Sequence, residues 1–326
     1  MATRPSEPRT AGQAARQALA AAMRARVALW ANTDAELGRL IEQALLAIVA
    51  QLARAPTDYQ QWVLPRLAEG VQRVGTELAA QLGTRAADGL RQAWLLGERA
   101  VTQPLAAAAP FELRQAPLAM LPAPDLRQLR ALQAVNTDRI TGATAEMVQR
   151  VNHELGMVTL GVQSPHEAMQ AVQQVLPDRT KSEVRGIVTS NLGTAFNTAA
   201  FEALRAQAGR DPAIKKQWRR SGKLHSRWNH DLADGQVQAV DEPFVLQAGN
   251  GKGTVSLMYP ADPAAPVGEV IHCGCVALPW KEGWKMRVPK AQAFTDAEKA
   301  ARKDAAARRD GKRLPATGRK PGRKTG

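Results

Sequence analysis

From Leu37 to Leu204 the apolar residues return every three or four positions, and past Trp218 they stop doing so. A step of three to four is the repeat of one helical face, so this part of the chain buries its apolar side chains most directly as helices. One series runs Leu37, Ile41, Ala44, Leu45, Ile48, Val49, Leu52, and a second runs Val63, Leu67, Val71, Val74, Leu78, Leu82. A third segment, 84–101, carries Leu90, Trp94, Leu95 and Val101. Three amphipathic helices with short connections predict an antiparallel bundle over 11–103; the same stripes could instead dock on neighbouring subunits.

Punctuation residues divide the rest. The first ten residues hold two prolines and little that is apolar and read as a disordered arm, and 11–30 read as an Ala- and Arg-rich helix. Thr33 and Glu36 stand at capping-box spacing and predict a fresh helix start. Pro56 and Gly83 read as stops. Five prolines between Pro104 and Pro124 remove amide donors, so 104–124 reads as a linker. Helices are expected again at 125–135 and 138–155. Ser164-Pro165-His166-Glu167 is a start signal for a helix that stops at Pro177. A last helix over 179–208 carries Val184, Ile187, Val188, Leu192, Ala195, Phe196, Ala199 and Leu204, and Gly209 and Pro212 close it.

Beyond 209 short apolar pieces (Val237–Val240, Phe244–Leu246, Val255–Met258, Val276–Leu278) alternate with Gly, Asp, Asn and Pro, the pattern of a small sheet with turns. The fold class is therefore α+β: a mainly helical first part, with helical segments over 11–103 and 125–208, and a small mixed unit over 209–288. The chain carries a formal charge of +14, but from Lys285 onward 14 Lys and Arg face 4 Asp and Glu. The body is thus only mildly basic, and 289–326 reads as a disordered basic tail suited to DNA or an acidic partner. Its candidate contacts are Lys299, Arg302, Lys303, Arg308, Arg309, Lys312, Arg313, Arg319, Lys320, Arg323 and Lys324. A solubilising end with no partner is the plainer alternative. No run of 18 apolar residues predicts a membrane span. Neither the N-terminal residues nor the two cysteines suggest secretion, so a reducing cytoplasm is the expected setting for synthesis.

Chemistry-bearing residues concentrate in one stretch. Four of the seven Trp, three of the five His and both Cys lie between 218 and 284. In order come Trp218, Arg227 and His230, then Asp234-Gly235-Gln236, Glu242-Pro243-Phe244, Pro260-Ala261-Asp262-Pro263 and Cys273-Gly274-Cys275. This ordered set resembles the C-terminal domain of phage head morphogenesis proteins, the Mu F-like minor head protein family, over about 180–280. The chain departs from the family pattern at Val188-Thr189-Ser190, where Arg-Thr-Glu is frequent, and at His272, which stands before the cysteines in place of Asn. The resemblance implies a minor component of a tailed-phage head. Such a protein would meet portal, scaffold or major capsid protein during assembly in the host cytoplasm and remain in the virion. On that reading the domain is a docking piece, and enzymatic turnover is not expected of it.

The residues also speak for themselves. Asp234-Gly235 favours a tight turn, because Gly accepts positive φ. Arg227 and His230 share a face if helical. His230, Cys273 and Cys275 offer three of the four ligands of a tetrahedral zinc ion, with His225 or His272 as a fourth. Buried thiols beside a hydrogen-bonded core histidine are the other reading, and the sequence leaves both open. A nuclease or toxin-like module would use His225, His230 and Arg227 for acid–base work on a phosphodiester. No carboxylate cluster accompanies them for a two-metal site, and Gly249-Asn250-Gly251-Lys252-Gly253 lacks the spacing of a phosphate loop. A non-viral DNA-binding protein is supported by charge alone.

Overall fold

The computed structural model describes residues 10–54, 64–109, 126–174, 176–221, 227–249 and 251–284, with 297, 300 and 301. Five helices come first. They are α1 (Ala11–Ala53), α2 (Leu64–Ala108), α3 (Leu126–Thr159), α4 (Pro165–Gln174) and α5 (Leu176–Ala208). Then follow β1 (Lys215–Arg219), α6 (Trp228–Leu232), β2 (Val237–Gln238), β3 (Phe244–Gln247), β4 (Thr254–Leu257), α7 (Val267–Val270) and β5 (Val276–Trp280). The α+β expectation holds: helices dominate, and the strands are small, antiparallel and confined to the C-terminal unit.

The helices are longer and fewer than the punctuation suggested. Helix α1 runs unbroken through Thr33, and its capping box is made instead by Thr10 and Gln13. Thr33 is buried on the core face, with its methyl near the position where Gly89 would carry a Cβ. Gly83 does not stop α2, because the helix uses its glycines for close approach. A Cβ on Gly75 would stand 2.2 Å from Val148, and one on Gly97 would stand 2.0 Å from the carbonyl oxygen of Phe196. Pro104 belongs to α2, not to a linker. It is buried four residues before the helix end, and without an amide proton it forgoes the one helical bond to the Ala100 carbonyl. The expected break near 136 is absent, since Asn136 faces inward and its Oδ1 accepts from Asn191 Nδ2 at 2.8 Å. Pro177 opens α5 as its second residue, in the first turn where a missing amide costs nothing. Ser164 caps α4 as expected, its Oγ accepting from the Glu167 amide while the Glu167 carboxylate accepts from the Ser164 amide. Pro56 lies outside the described residues.

Helix α2 is packed by α1, α3 and α5. Their stripes form one core, which includes Leu19, Ile41, Ile48, Leu82, Leu90, Trp94, Ile140, Val151 and Phe196. A second core gathers Phe201, Leu204, Trp218, Phe244, Leu246, Leu257 and Tyr259 with both cysteines. Strand β5 serves the two cores alternately. Val276 and Leu278 turn to the helices, and Cys275 and Ala277 turn to the second core. Burying side chains on both faces makes this strand the seam of the molecule.

Strand order in the larger sheet is β2-β1-β5, all antiparallel, with Trp218 opposite Ala277; β3 and β4 form a separate hairpin. Strand β1, Lys-Lys-Gln-Trp-Arg, carries no apolar alternation, and the sequence did not mark it as a strand. Its Lys216 is nonetheless fully buried, donating to the carbonyls of Val240 (2.9 Å) and Met258 (2.7 Å) between the rings of Phe201 and Phe244.

Candidate metal centre

The motif residues, up to 57 positions apart in sequence, meet around Trp218. The Trp218 ring is edge-on to His230 (5.2 Å between centroids) and to Phe244 (5.3 Å), and all three residues are buried. Gly235 and Gln236 fasten the same residue. The Gly235 amide donates to the Trp218 carbonyl at 2.9 Å, and the Trp218 amide donates to the Gln236 carbonyl at 2.8 Å. Gly235 has φ +88°, so the turn does need its glycine. Asp234 is buried against Arg219 (3.4 Å) and accepts the Arg220 amide at 3.0 Å, which makes it a structural ion pair. Pro243 leads into β3 just before Phe244. Pro260 stands in the turn that Asp262 closes, accepting from the amides of Met258 (3.0 Å) and Ala264 (2.9 Å).

His230 lies in α6, a helix of five residues with Arg227 as its N-cap. Arg227 donates a guanidinium N–H to the Ile271 carbonyl. That contact ties the start of α6 to the loop that carries the cysteines. His230 Nε2 lies 2.8 Å from Glu269 Oε2. The Glu269 carboxylate also accepts from Asn229 Nδ2 (2.9 Å) and from the Gly249 amide (3.1 Å). The bond from His230 is the largest of the influences that hold the Glu269 carboxyl down at about 2. A carboxylate fixed on Nε2 leaves the opposite nitrogen, Nδ1, to face Cys273 Sγ at 3.5 Å and Cys275 Sγ at 3.7 Å.

The ligand atoms of His230, Cys273 and Cys275 all lie within 4.8 Å of one another, and the three residues are buried. They could hold a metal ion. A sulfur and a nitrogen that share a tetrahedral zinc stand about 3.5 Å apart, given the usual bond lengths. The observed spacings match that edge, and a carboxylate on the far ring nitrogen is the usual orienting partner of a metal-binding imidazole.

Without metal the group is an acid–base cluster. A bond from Cys275, opposed by burial and helped by His230, pushes the Cys273 thiol well below its usual range. The same bond and burial push Cys275 well above it. Burial alone would lower His230, but Cys273 and Glu269 hold it up. Both cysteines are free thiols. Arg26 of α1 stands nearby, its guanidinium stacked on Trp30 (4.8 Å) and Phe196 (5.0 Å), and the charge of both sulfurs acts on it. Burial is the larger influence and brings Arg26 down to about 10.

The structure thus brings together Trp218, Arg227, His230, Cys273 and Cys275, the residues singled out from sequence. His272, one expected fourth ligand, is not in the group: its φ is +56° and its ring stands over Gly186 of α5. His225, the other, lies outside the described residues, as do the tail residues from Lys299 to Lys324 that were named for DNA. His230 engages both ring nitrogens and is 1% exposed, a poor position for contact with a phosphodiester. Glu269 and Arg26 were not singled out. Glu269 is 39 residues from His230 and Arg26 is 248 from Gly274, and no local spacing signals either one. Among the described residues no helix is long and apolar enough to cross a membrane.

The chain is 29% identical over 140 residues to an uncharacterized protein, YqbB, of Bacillus subtilis (strain 168). That match covers 41% of this chain and 44% of the relative, so less than half of either protein is shared. No family model matches the chain. No solved structure matches it.

Proposed function

We propose that the protein is a minor head protein of a tailed phage, acting in head morphogenesis, and that a zinc ion buttresses its C-terminal unit. The observation that carries this reading is the convergence of the ordered motif set on one buried point. Trp218, His230, Phe244 and the Cys-Gly-Cys loop are far apart in sequence and in contact in the fold. A set whose members serve one packing unit suits a docking piece. The long helices α1, α2 and α3 supply the surfaces for portal, scaffold or capsid protein, and the basic tail supplies contacts to DNA. The protein would then work in the host cytoplasm during assembly and remain in the virion.

Zinc is favoured over other first-row metals by two soft thiolates and an imidazole in tetrahedral spacing. Bound there, the ion would be held by His230, Cys273 and Cys275 and would cross-link α6 to the loop before β5. Glu269 keeps the imidazole in the tautomer that presents Nδ1.

Quantitative mass spectrometry of purified procapsids and virions tests the assembly role. The protein should be present in few copies relative to major capsid protein, and removing its reading frame should reduce filled heads. Its absence from both particles, or phosphodiester cleavage by the purified protein, would overturn the reading.

A further inference from the structure

The two thiols sit on a loop whose backbone does a different job from its side chains. The side chains of Cys273 and Cys275 face His230. The backbone from His272 to Cys275 faces the helical part of the molecule. The His272 amide donates to Ser190 Oγ of α5 at 3.0 Å. The Cys273 carbonyl oxygen lies against Gly193 of α5, 3.2 Å from where a Cβ would stand. The Gly274 carbonyl accepts from Arg26 of α1 at 3.3 Å. The Cys275 carbonyl accepts from Asn197 Nδ2 of α5 at 3.1 Å, and Asn197 Oδ1 receives the Ala277 amide at 3.4 Å. Three successive carbonyls thus meet three separate anchors on two helices.

Arg26 is the far end of this seam. Trp30 and Phe196 hold its guanidinium by their faces, so it reaches the loop from a fixed base. Its Nε is buried without a hydrogen-bond partner among the described residues, so the Gly274 carbonyl is its main polar anchor there.

We propose that metal binding at His230, Cys273 and Cys275 is a latch between the C-terminal unit and the helical part, with Arg26 as the residue that passes it to α1. The inference rests on the metal reading above. A metal ion fixes the positions of both cysteines and hence of the three carbonyls between and beside them. Loop order is then no longer a cost of making the contacts to Arg26 and Asn197. The helices and the C-terminal unit move as one body when the centre is filled, and the seam opens more often when it is empty.

Hydrogen exchange read by mass spectrometry, on full-length protein stripped of metal and then given one equivalent of zinc chloride, tests this. Zinc should slow exchange at 271–277, around Asn197 in α5 and around Arg26 in α1. The slowing should approach roughly 100-fold when free zinc is about 100 times its dissociation constant. Arg26→Met should bind zinc with unchanged stoichiometry, keep the slowing at 271–277 and lose it in α1. Arg26→Lys, which keeps the charge but not the planar fork, should lose part of it and serves if the first variant does not fold. Zinc binding that leaves α1 exchange unchanged in the wild type, or slowing in α1 that survives in both variants, overturns the latch while leaving the metal site intact. No zinc uptake by the wild type removes the site and the latch together.

Discussion

Glu269 Oε2 lies 2.8 Å from His230 Nε2, and this contact decides which ring nitrogen faces the two sulfurs. Glu269→Gln keeps the shape and removes the charge. Zinc affinity, measured by competition with a chromogenic chelator, should fall about 10–100-fold, as for other orienting partners of metal-bound histidine. An unchanged affinity would mean that the carboxylate does not orient the ligand.

The same carboxylate gives a pH signature in metal-free protein. Its pKa is held at about 2 against 4.5 in the unfolded chain. The stability it contributes is therefore complete above pH 4.5 and is lost as pH falls toward 2. Urea unfolding of wild type and Glu269→Gln between pH 2.5 and 6 should show the gap between them closing as the solution becomes more acid. A constant gap would place the stabilisation elsewhere.

Lys216 gives the same direction in a higher window. Burial brings it down to about 8, against 10.5 when unfolded. Between those values the unfolded chain binds more protons, so stability from this group rises with pH across the window. Lys216→Met strands the carbonyls of Val240 and Met258 and should cost about 1–3 kcal/mol at pH 7. The difference between wild type and variant, followed by denaturant unfolding, should widen from pH 8 to pH 10.

Glycines of α1 and α2 separate two roles. Gly97→Ala would drive a methyl into the Phe196 backbone and should destabilise by about 1–3 kcal/mol. Gly38→Ala on α1 meets nothing within 4 Å and should stabilise by about 0.5–1 kcal/mol, the ordinary helix-interior gain. Thermal unfolding of the two variants reads both signs.

These positions also mark what was legible in the sequence. The apolar step of three to four located the helical part, because it reports which face is buried. The boundaries failed where a punctuating residue had another use. Thr33 is a buried core residue, Gly83 lies inside α2 and does not end it, and Pro177, expected to end one helix, stands in the first turn of the next. Strand β1 was invisible because Lys216 is paired with carbonyls inside the core, where an apolar residue would normally reveal the alternation. At the site, residue type and spacing were enough to join His230 to Cys273 and Cys275. They could not supply Glu269 or Arg26, whose roles depend on packing between distant segments.

The central claim is that His230, Cys273 and Cys275 hold one metal ion that orders the C-terminal unit. Metal analysis of protein purified under reducing, chelator-free conditions tests it most directly, with Cys273→Ser and Cys275→Ser beside the wild type. About one zinc per chain is expected in the wild type and far less in either variant. A wild type with metal content near zero, or variants that retain the wild-type content, would contradict it.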